Sequence, residues 1–275
     1  MSKFDYSEQY YETGIGGFHE ASFAPISNAF KQAIPPVSDS LEILDFGCGN
    51  GFYGAFLRQS ATRLDGVDYS LVLPNVKNRR FYQNFYQQDL GKEWQPETKY
   101  DAVFSVEVIE HVEDYHQFLA NAFAALKPGG RLFLTTTTYF WSLFILLIVY
   151  RRQTSFASLS EFFQGLAGDE NARTRFVKRF WDFFTGHYHG FTKGQLRRGL
   201  EAAGFVVERL DYLQVQDVFP VHYLDQPYNK KYKMLVNRLI PCIKVMGRSI
   251  NWACRRFDLN APNVVVIARK PPAAN

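Results

Sequence analysis

Short apolar runs recur along this chain, separated by longer polar or glycine-marked segments. Leu41–Phe46, Arg63–Asp68, Asp101–Val106, Arg131–Thr136, Phe205–Leu213 and Asn263–Lys270 each read as a strand. Helical stretches fall between them. Phe52–Gln59 starts one. A second runs from beyond Val106 through Leu126 and stops at Lys127-Pro-Gly-Gly130. A third, Thr192–Ala203, has Thr192 as its N-cap and Gly204 as its stop. Strands alternating with helices predict a parallel sheet covered on both faces, an α/β doubly wound fold. Phe205–Leu213 and Val264–Arg269 should pair as a hairpin-like end of that sheet, despite the excursion between them.

Two stretches break the rhythm and are expected to be helical insertions. One spans residues 139–190 and the other 220–262. This divides the chain into a lead-in (1–40) ending in Pro35-Pro36, a core (41–138) that resumes at 191–219, and a closing strand with its tail (263–275). The first insertion opens on YFWSLFILLIVY, Tyr139 to Tyr150, followed by Arg151-Arg152. That run is too short for a bilayer, which takes about 20 apolar residues. It suits a lid over a greasy acceptor, a surface dipping into a membrane, or a buried helix of the insertion. The second insertion carries Leu235, Leu239, Ile243, Met246 and Ile250 at helical spacing, with Pro241 as a kink.

Charge sharpens the picture of that second insertion. The net +4 of the 275-residue chain is local. Between Gln226 and Phe257 stand eight basic residues and no acid, and the rest of the chain is net negative. A basic amphipathic segment fits a membrane surface, a phosphorylated substrate or a solvated face. Hydrophobic residues make up 47% of the chain, enough for a full core, and exclude global disorder. Three scattered cysteines exclude a disulfide framework and suit a reducing compartment. The polar start, MSKFDYSEQYYE, does not read as a secretory signal. The expected location is cytoplasmic, with peripheral contact at the inner membrane face left open.

Candidate chemistry begins at Leu44-Asp-Phe-Gly-Cys-Gly-Asn-Gly-Phe-Tyr-Gly54. Its second half is a G-x-G-x-x-G, and an acid follows at Asp68, as in a dinucleotide site. Asp45, at the end of its strand, argues against that ligand. A carboxylate there repels a pyrophosphate but suits an ammonium group.

Together these segments resemble class I S-adenosylmethionine-dependent methyltransferases. The first motif is Asp45-Phe-Gly-Cys-Gly-Asn-Gly51, the second Asp68 in GVDYS, the third Gln88-Asp-Leu90. Val106-Glu-Val-Ile-Glu-His111 and Leu126-Lys-Pro-Gly-Gly130 follow in the family's order. The resemblance implies a Rossmann-like, seven-stranded, mostly parallel sheet with an antiparallel last strand, and S-adenosylmethionine as cofactor. It implies that Asp68 accepts the ribose hydroxyls, that Asp89 accepts from the adenine amine and that Leu90 packs on its ring. It sets Gly47, Cys48, Gly49, Gly51, Tyr69 and Val106 along the same ligand, and Tyr11 in a lid above it.

The acceptor side is read at the end of the fourth strand. Glu107, Glu110 and His111 have the spacing of one helical face. Three roles stay open: His111 as general base, all three as ligands of a divalent ion such as Mg2+, or first-turn acids favoured by the helix dipole. The E-x-x-E-H pattern is similar to that of metal-dependent ubiquinone-pathway O-methyltransferases and small-RNA 2′-O-methyltransferases. The pair His187 and His189 in GHYHGFT is a further candidate, with His189 taken as catalytic. Where amino-methyltransferases of nucleic acids carry N/D-P-P-Y/F, this chain reads Ser105-Val-Glu-Val, so oxygen is the expected acceptor atom. The expected reaction is O-methylation of a small, lipid-like or glycan hydroxyl, with nucleic acid disfavoured. An RNA 2′-O-methyltransferase and a non-catalytic cofactor-binding scaffold are the alternatives. Neither oligomeric state nor acceptor identity follows from the sequence.

Overall fold

A computed structural model describes residues 16–34, 41–70, 77–139, 156–181, 187–212 and 263–273. Tyr11, the apolar run beyond Tyr139 and the basic segment of 220–262 lie outside the described residues.

The described chain runs α1 (Gly16–Ala33), β1 (Leu41–Phe46), α2 (Gly54–Leu57), β2 (Ala61–Asp68), a 3-10 turn (Lys77–Phe81), β3 (Phe85–Gln87) and β4 (Tyr100–Val106). It continues with a 3-10 turn (Ile109–His111), α3 (Tyr115–Ala125), β5 (Leu126–Thr137), α4 (Phe156–Leu166), α5 (Glu170–Trp181), α6 (Lys193–Ala202), β6 (Val206–Tyr212) and β7 (Asn263–Arg269). The sheet has seven strands in the order β3-β2-β1-β4-β5-β7-β6. β7 runs antiparallel to both neighbours, and the other pairings are parallel. The order reverses between β1 and β4, which places a ligand crevice beyond their carboxyl ends.

Period-two alternation explains how the sheet holds its layers. Leu44, Phe46, Val103, Leu132 and Leu134 face one side, where Phe118, Leu119, Leu196 and Leu200 of α3 and α6 cover them. Ile43, Ala102, Phe104 and Phe133 face the other, under Ile26 and Phe30 of α1. The Phe30 ring meets Phe104 and Phe133 edge-on, at 5.2 and 5.4 Å between centroids. Central parallel strands buried on both sides read as continuous apolar runs, as β4 does.

Some expected bounds shift. The lead-in is not merely polar, since it supplies α1. The helix expected over Phe52–Gln59 shrinks to the single turn of α2, and β2 begins directly after it at Ala61. β3 was not located from the residue pattern, because three residues carry too little periodicity. The helix after β4 starts only at Tyr115, where Asp114 caps it by accepting from the Gln117 N–H. Thr192 caps α6 through Gln195 in the same way. The first insertion leaves and returns at one place: Thr138 bridges Phe191, and the Tyr139 N–H donates to the Phe191 carbonyl at 2.9 Å. No helix among the described residues is long and apolar enough to cross a membrane.

Candidate functional site

The glycine loop after β1 is strapped to the end of β2. The N–H groups of Gly47 and Cys48 both donate to the Val67 carbonyl, at 2.8 and 3.1 Å. The Gly49 N–H donates to Oδ2 of Asp68 at 2.8 Å, and the Ser70 N–H to its Oδ1 at the same distance. Gly47 has φ +88°, and a Cβ there would sit 2.4 Å from Val108. Only glycine serves at that point. Burial raises the Asp68 carboxyl above its usual range, and the backbone N–H bonds pull it part of the way back. A carboxylate offers about four acceptor sites, so Asp68 keeps capacity for a vicinal diol.

Asp45 is 4% exposed. Its Oδ2 accepts from the Tyr82 hydroxyl at 2.6 Å. Burial pushes its pKa up to about 7, the Tyr82 hydrogen bond holds it down in part, and the charge of Asp68 adds to the rise. Two acids this close, one of them buried, make a site that rejects a pyrophosphate and favours a cation. Gly54 makes room for the arrangement, since a Cβ there would lie 2.7 Å from the Tyr82 ring. The Cys48 thiol is buried beside them and is held well above its usual range by burial and by Asp68.

On the neighbouring loop, Asp89 accepts from the Gly91 N–H at 3.1 Å and pairs with Lys92 at 3.5 Å. Leu90 is buried. Asn121 of α3 fixes this loop: its amide donates to the carbonyls of Leu90 and Lys92, and its oxygen accepts from the Trp94 N–H. Val106 is buried at the end of β4, and Tyr69 is 42% exposed at the end of β2.

The acceptor side departs from the expected helix. Glu107 has φ 54°, the sole positive value for a non-glycine among the described residues. That conformation costs of order 1–3 kcal/mol and marks a constrained position. It breaks the predicted face, so Glu107, Glu110 and His111 do not share an α-helix, and only Ile109–His111 turn as 3-10. β5 holds both acids instead. The Thr135 hydroxyl donates to Glu107 and the Thr136 hydroxyl to Oε2 of Glu110, each at 2.8 Å. Glu110 is fully buried, and its Oε1 has no hydrogen-bond partner among the described residues. Burial, together with the charge of Glu107, raises its carboxyl well above the usual range.

Glu110, His111 and His187 each bring one potential ligand atom, all within 4.8 Å of one another. The two imidazole rings lie 4.4 Å apart at 83°. Burial, and then the proximity of His111, pushes His187 well below its usual value. The N–H groups of Tyr188 and His189 both donate to the Glu110 carbonyl, which fixes how the loop enters. His189 therefore turns elsewhere, with its Nε2 3.0 Å from the Glu113 carbonyl. The structure brings together Glu110, His111 and His187, and leaves Glu107 and His189 beside that trio. One carboxylate and two imidazoles fit a divalent ion. Their chemistry suits a borderline ion such as Zn2+ better than Mg2+, which prefers oxygen throughout. Tyr82, Val108, Thr136 and Asn121 support the site through contacts that no local sequence pattern announces.

A family model described as a methyltransferase domain matches residues 18–210. The chain is 32% identical over 112 residues to a ubiquinone biosynthesis O-methyltransferase of Coxiella burnetii, a match covering 39% of this chain and 48% of that one. A protein of the same name from a Bradyrhizobium species is 32% identical over 113 residues, covering 40% and 45%. The match thus spans about half the length of these relatives. In fold, the chain is similar to an S-adenosylmethionine-dependent methyltransferase from Mesorhizobium loti, with TM-score 0.55, 16% identity and coverage of 91% and 100%. It is also similar to the Haemonchus contortus phosphoethanolamine N-methyltransferase 2 bound to S-adenosyl-L-methionine, with TM-score 0.56, 15% identity and coverage of 98% and 61%.

Proposed function

The chain belongs to the methyltransferase domain family, and on that premise we propose that it methylates a hydroxyl oxygen of a small, lipid-like or glycan acceptor with S-adenosylmethionine. The observation that carries the cofactor is the pair of acids around the glycine loop, Asp45 and Asp68. Asp68 would accept the ribose hydroxyls, Asp45 would face the ammonium group, and Asp89 would accept from the adenine amine. Leu90 is buried and would back the ring. When bound, the sulfonium supplies an activated methyl group for in-line displacement. The protein's task is then to align the acceptor, exclude water and remove its proton.

The oxygen acceptor is supported by the names of the relatives and by the absence of an N/D-P-P-Y/F tetrapeptide after β4. Glu110, His111 and His187 are the groups placed to act on that oxygen. The unpartnered Oε1 of Glu110 beside two imidazoles favours their use as metal ligands over His111 acting alone as base. A divalent ion there would lower the pKa of a bound hydroxyl. Glu107, held by Thr135, would orient this group from the side. The test is transfer of labelled methyl to a panel of phenols, catechols and sugar alcohols. Oxygen-methylated products lost in chelator support the reading, and products on amines alone contradict it.

A further inference from the structure

Arg173 on α5 has no use in the chemistry above, yet it is 6% exposed. One guanidinium nitrogen, Nη2, donates to the Gly165 carbonyl at 2.7 Å. Its Nε and Nη1 are buried with no hydrogen-bond partner among the described residues. The guanidinium carbon lies 5.5 Å from the centre of the Tyr139 ring. A buried charge normally has a carboxylate or several hydrogen bonds to offset desolvation. This one has a single carbonyl and a ring.

The same place holds a second uncompensated group. Oε1 of Gln195, in the first turn of α6, is buried without a hydrogen-bond partner among the described residues. The Tyr115 hydroxyl lies within the influence of the Gln195 side chain and of the charges of Glu170, Arg173 and Arg198. Tyr139, Tyr115, Glu170 and Arg198 are the ionisable groups that face Arg173, and none of them is a buried carboxylate. The spot adjoins the Glu110 trio: the Tyr115 ring lies 5.1 Å from His189, whose N–H donates to the Glu110 carbonyl.

A strut between α4 and α5 does not require a charge here. Tyr139 stacks on Phe162 at 5.0 Å, Phe162 meets Phe176 at 5.3 Å, and Gly165 lets the Arg173 backbone approach closely. Apolar packing already joins the two helices.

We propose that Arg173, with Gln195 and Tyr115 beside it, is a subsite for an oxyanion, a carboxylate or phosphate carried by the methyl acceptor. Assignment of the anion to the acceptor rests on the methyltransferase reading; binding of the anion does not. The free Nε–H and Nη1–H groups donate to its oxygens, as guanidinium does elsewhere. Gln195 Oε1 accepts from a neighbouring hydroxyl of the same molecule.

The test is thermal unfolding of the full chain in benzoate, in inorganic phosphate, and in chloride at matched ionic strength. Wild type should show a saturable rise with one of the two oxyanions, about 5 °C at a hundredfold excess over Kd, and none with chloride. The responding probe tells carboxylate from phosphate. Arg173→Met should melt no lower than wild type without anion and should lose the response. If that variant does not fold, Arg173→Lys and Gln195→Leu carry the test, each weakening anion binding about tenfold or more. No saturable response in wild type, or an unchanged response in the variants, overturns the subsite. Stabilisation by S-adenosylhomocysteine, measured alongside, should be equal in all of them. A wild type that binds the oxyanion and not S-adenosylhomocysteine would sink the methyltransferase reading while leaving the anion site in place.

Discussion

The Tyr82 hydroxyl donates to Asp45 across 2.6 Å, joining the approach to β3 to the end of β1 beside the cofactor loop. A hydrogen bond to an ionised group contributes about 1.5–3 kcal/mol. Tyr82→Phe removes it, so the Asp45 carboxylate becomes harder to ionise. S-adenosylhomocysteine should bind about tenfold more weakly to this variant at pH 7. The acid side of its binding curve should move to higher pH, as titration calorimetry across pH would show. A uniform loss with an unmoved pH profile would reduce Tyr82 to packing.

Asp45 also sets a pH dependence of stability. Its pKa is about 7 in the folded protein, and about 3.9 is usual for an unfolded chain. Between those values the folded state holds the extra proton, so the stability it brings is present below about pH 4 and lost as pH rises through 7. The full span is worth about 4 kcal/mol at most. His187, held neutral by burial, acts in the opposite sense, losing stability as pH falls below its usual range. Denaturant unfolding of the cofactor-free protein should isolate the Asp45 part as the difference between wild type and Asp45→Asn. The stability of wild type relative to that variant should fall from pH 5 to pH 8, and a pH-independent difference would refute it.

Gly47→Ala meets two obstacles, a φ of +88° and Val108 at 2.4 Å. A loss of about 2–4 kcal/mol in unfolding free energy is expected. Adding Val108→Ala should restore part of that loss, because it relieves the clash and leaves the backbone strain. No recovery in the double variant would mean that Val108 does not press on the loop.

Metal use is tested by chelation. Methyl transfer should fall at least about a hundredfold in chelator, and in Glu110→Gln or His187→Ala, with S-adenosylhomocysteine binding unchanged. Zn2+ or Mn2+ should restore the chelated enzyme better than Mg2+. Full activity in chelator would return His111 to the role of base.

The glycine loop, Asp45 and Asp68 were legible in the sequence because their demands are local: a strand, a tight turn, a carboxylate at the next strand end. Six of the seven strands were legible by the same logic, each as an apolar run of its own, and the three-residue β3 was not. Tyr82 was not legible, because it reaches Asp45 across 37 residues of chain. Thr136 reaches Glu110 across 26. The helical face assigned to Glu107, Glu110 and His111 failed for a backbone reason. Spacing says where side chains point only if the backbone is helical, and Glu107 at φ 54° is not. The choice between His187 and His189 had no signal in a loop without periodicity. Two backbone N–H bonds to the Glu110 carbonyl set the loop so that His187, and not His189, lies against the His111 ring.

The measurement that bears most directly on the central claim is thermal stabilisation by S-adenosylhomocysteine and, in parallel, by NAD. It should be made on wild type and on Asp68→Asn, which keeps an oxygen for the Gly49 or Ser70 N–H better than Asp68→Ala would. At a hundred times its Kd, S-adenosylhomocysteine should add about 2.7 kcal/mol to wild type and far less to the variant, with NAD adding nothing. Stabilisation by NAD in its place would contradict the assignment of Asp45 and Asp68 and the methyl-transfer reading built on them.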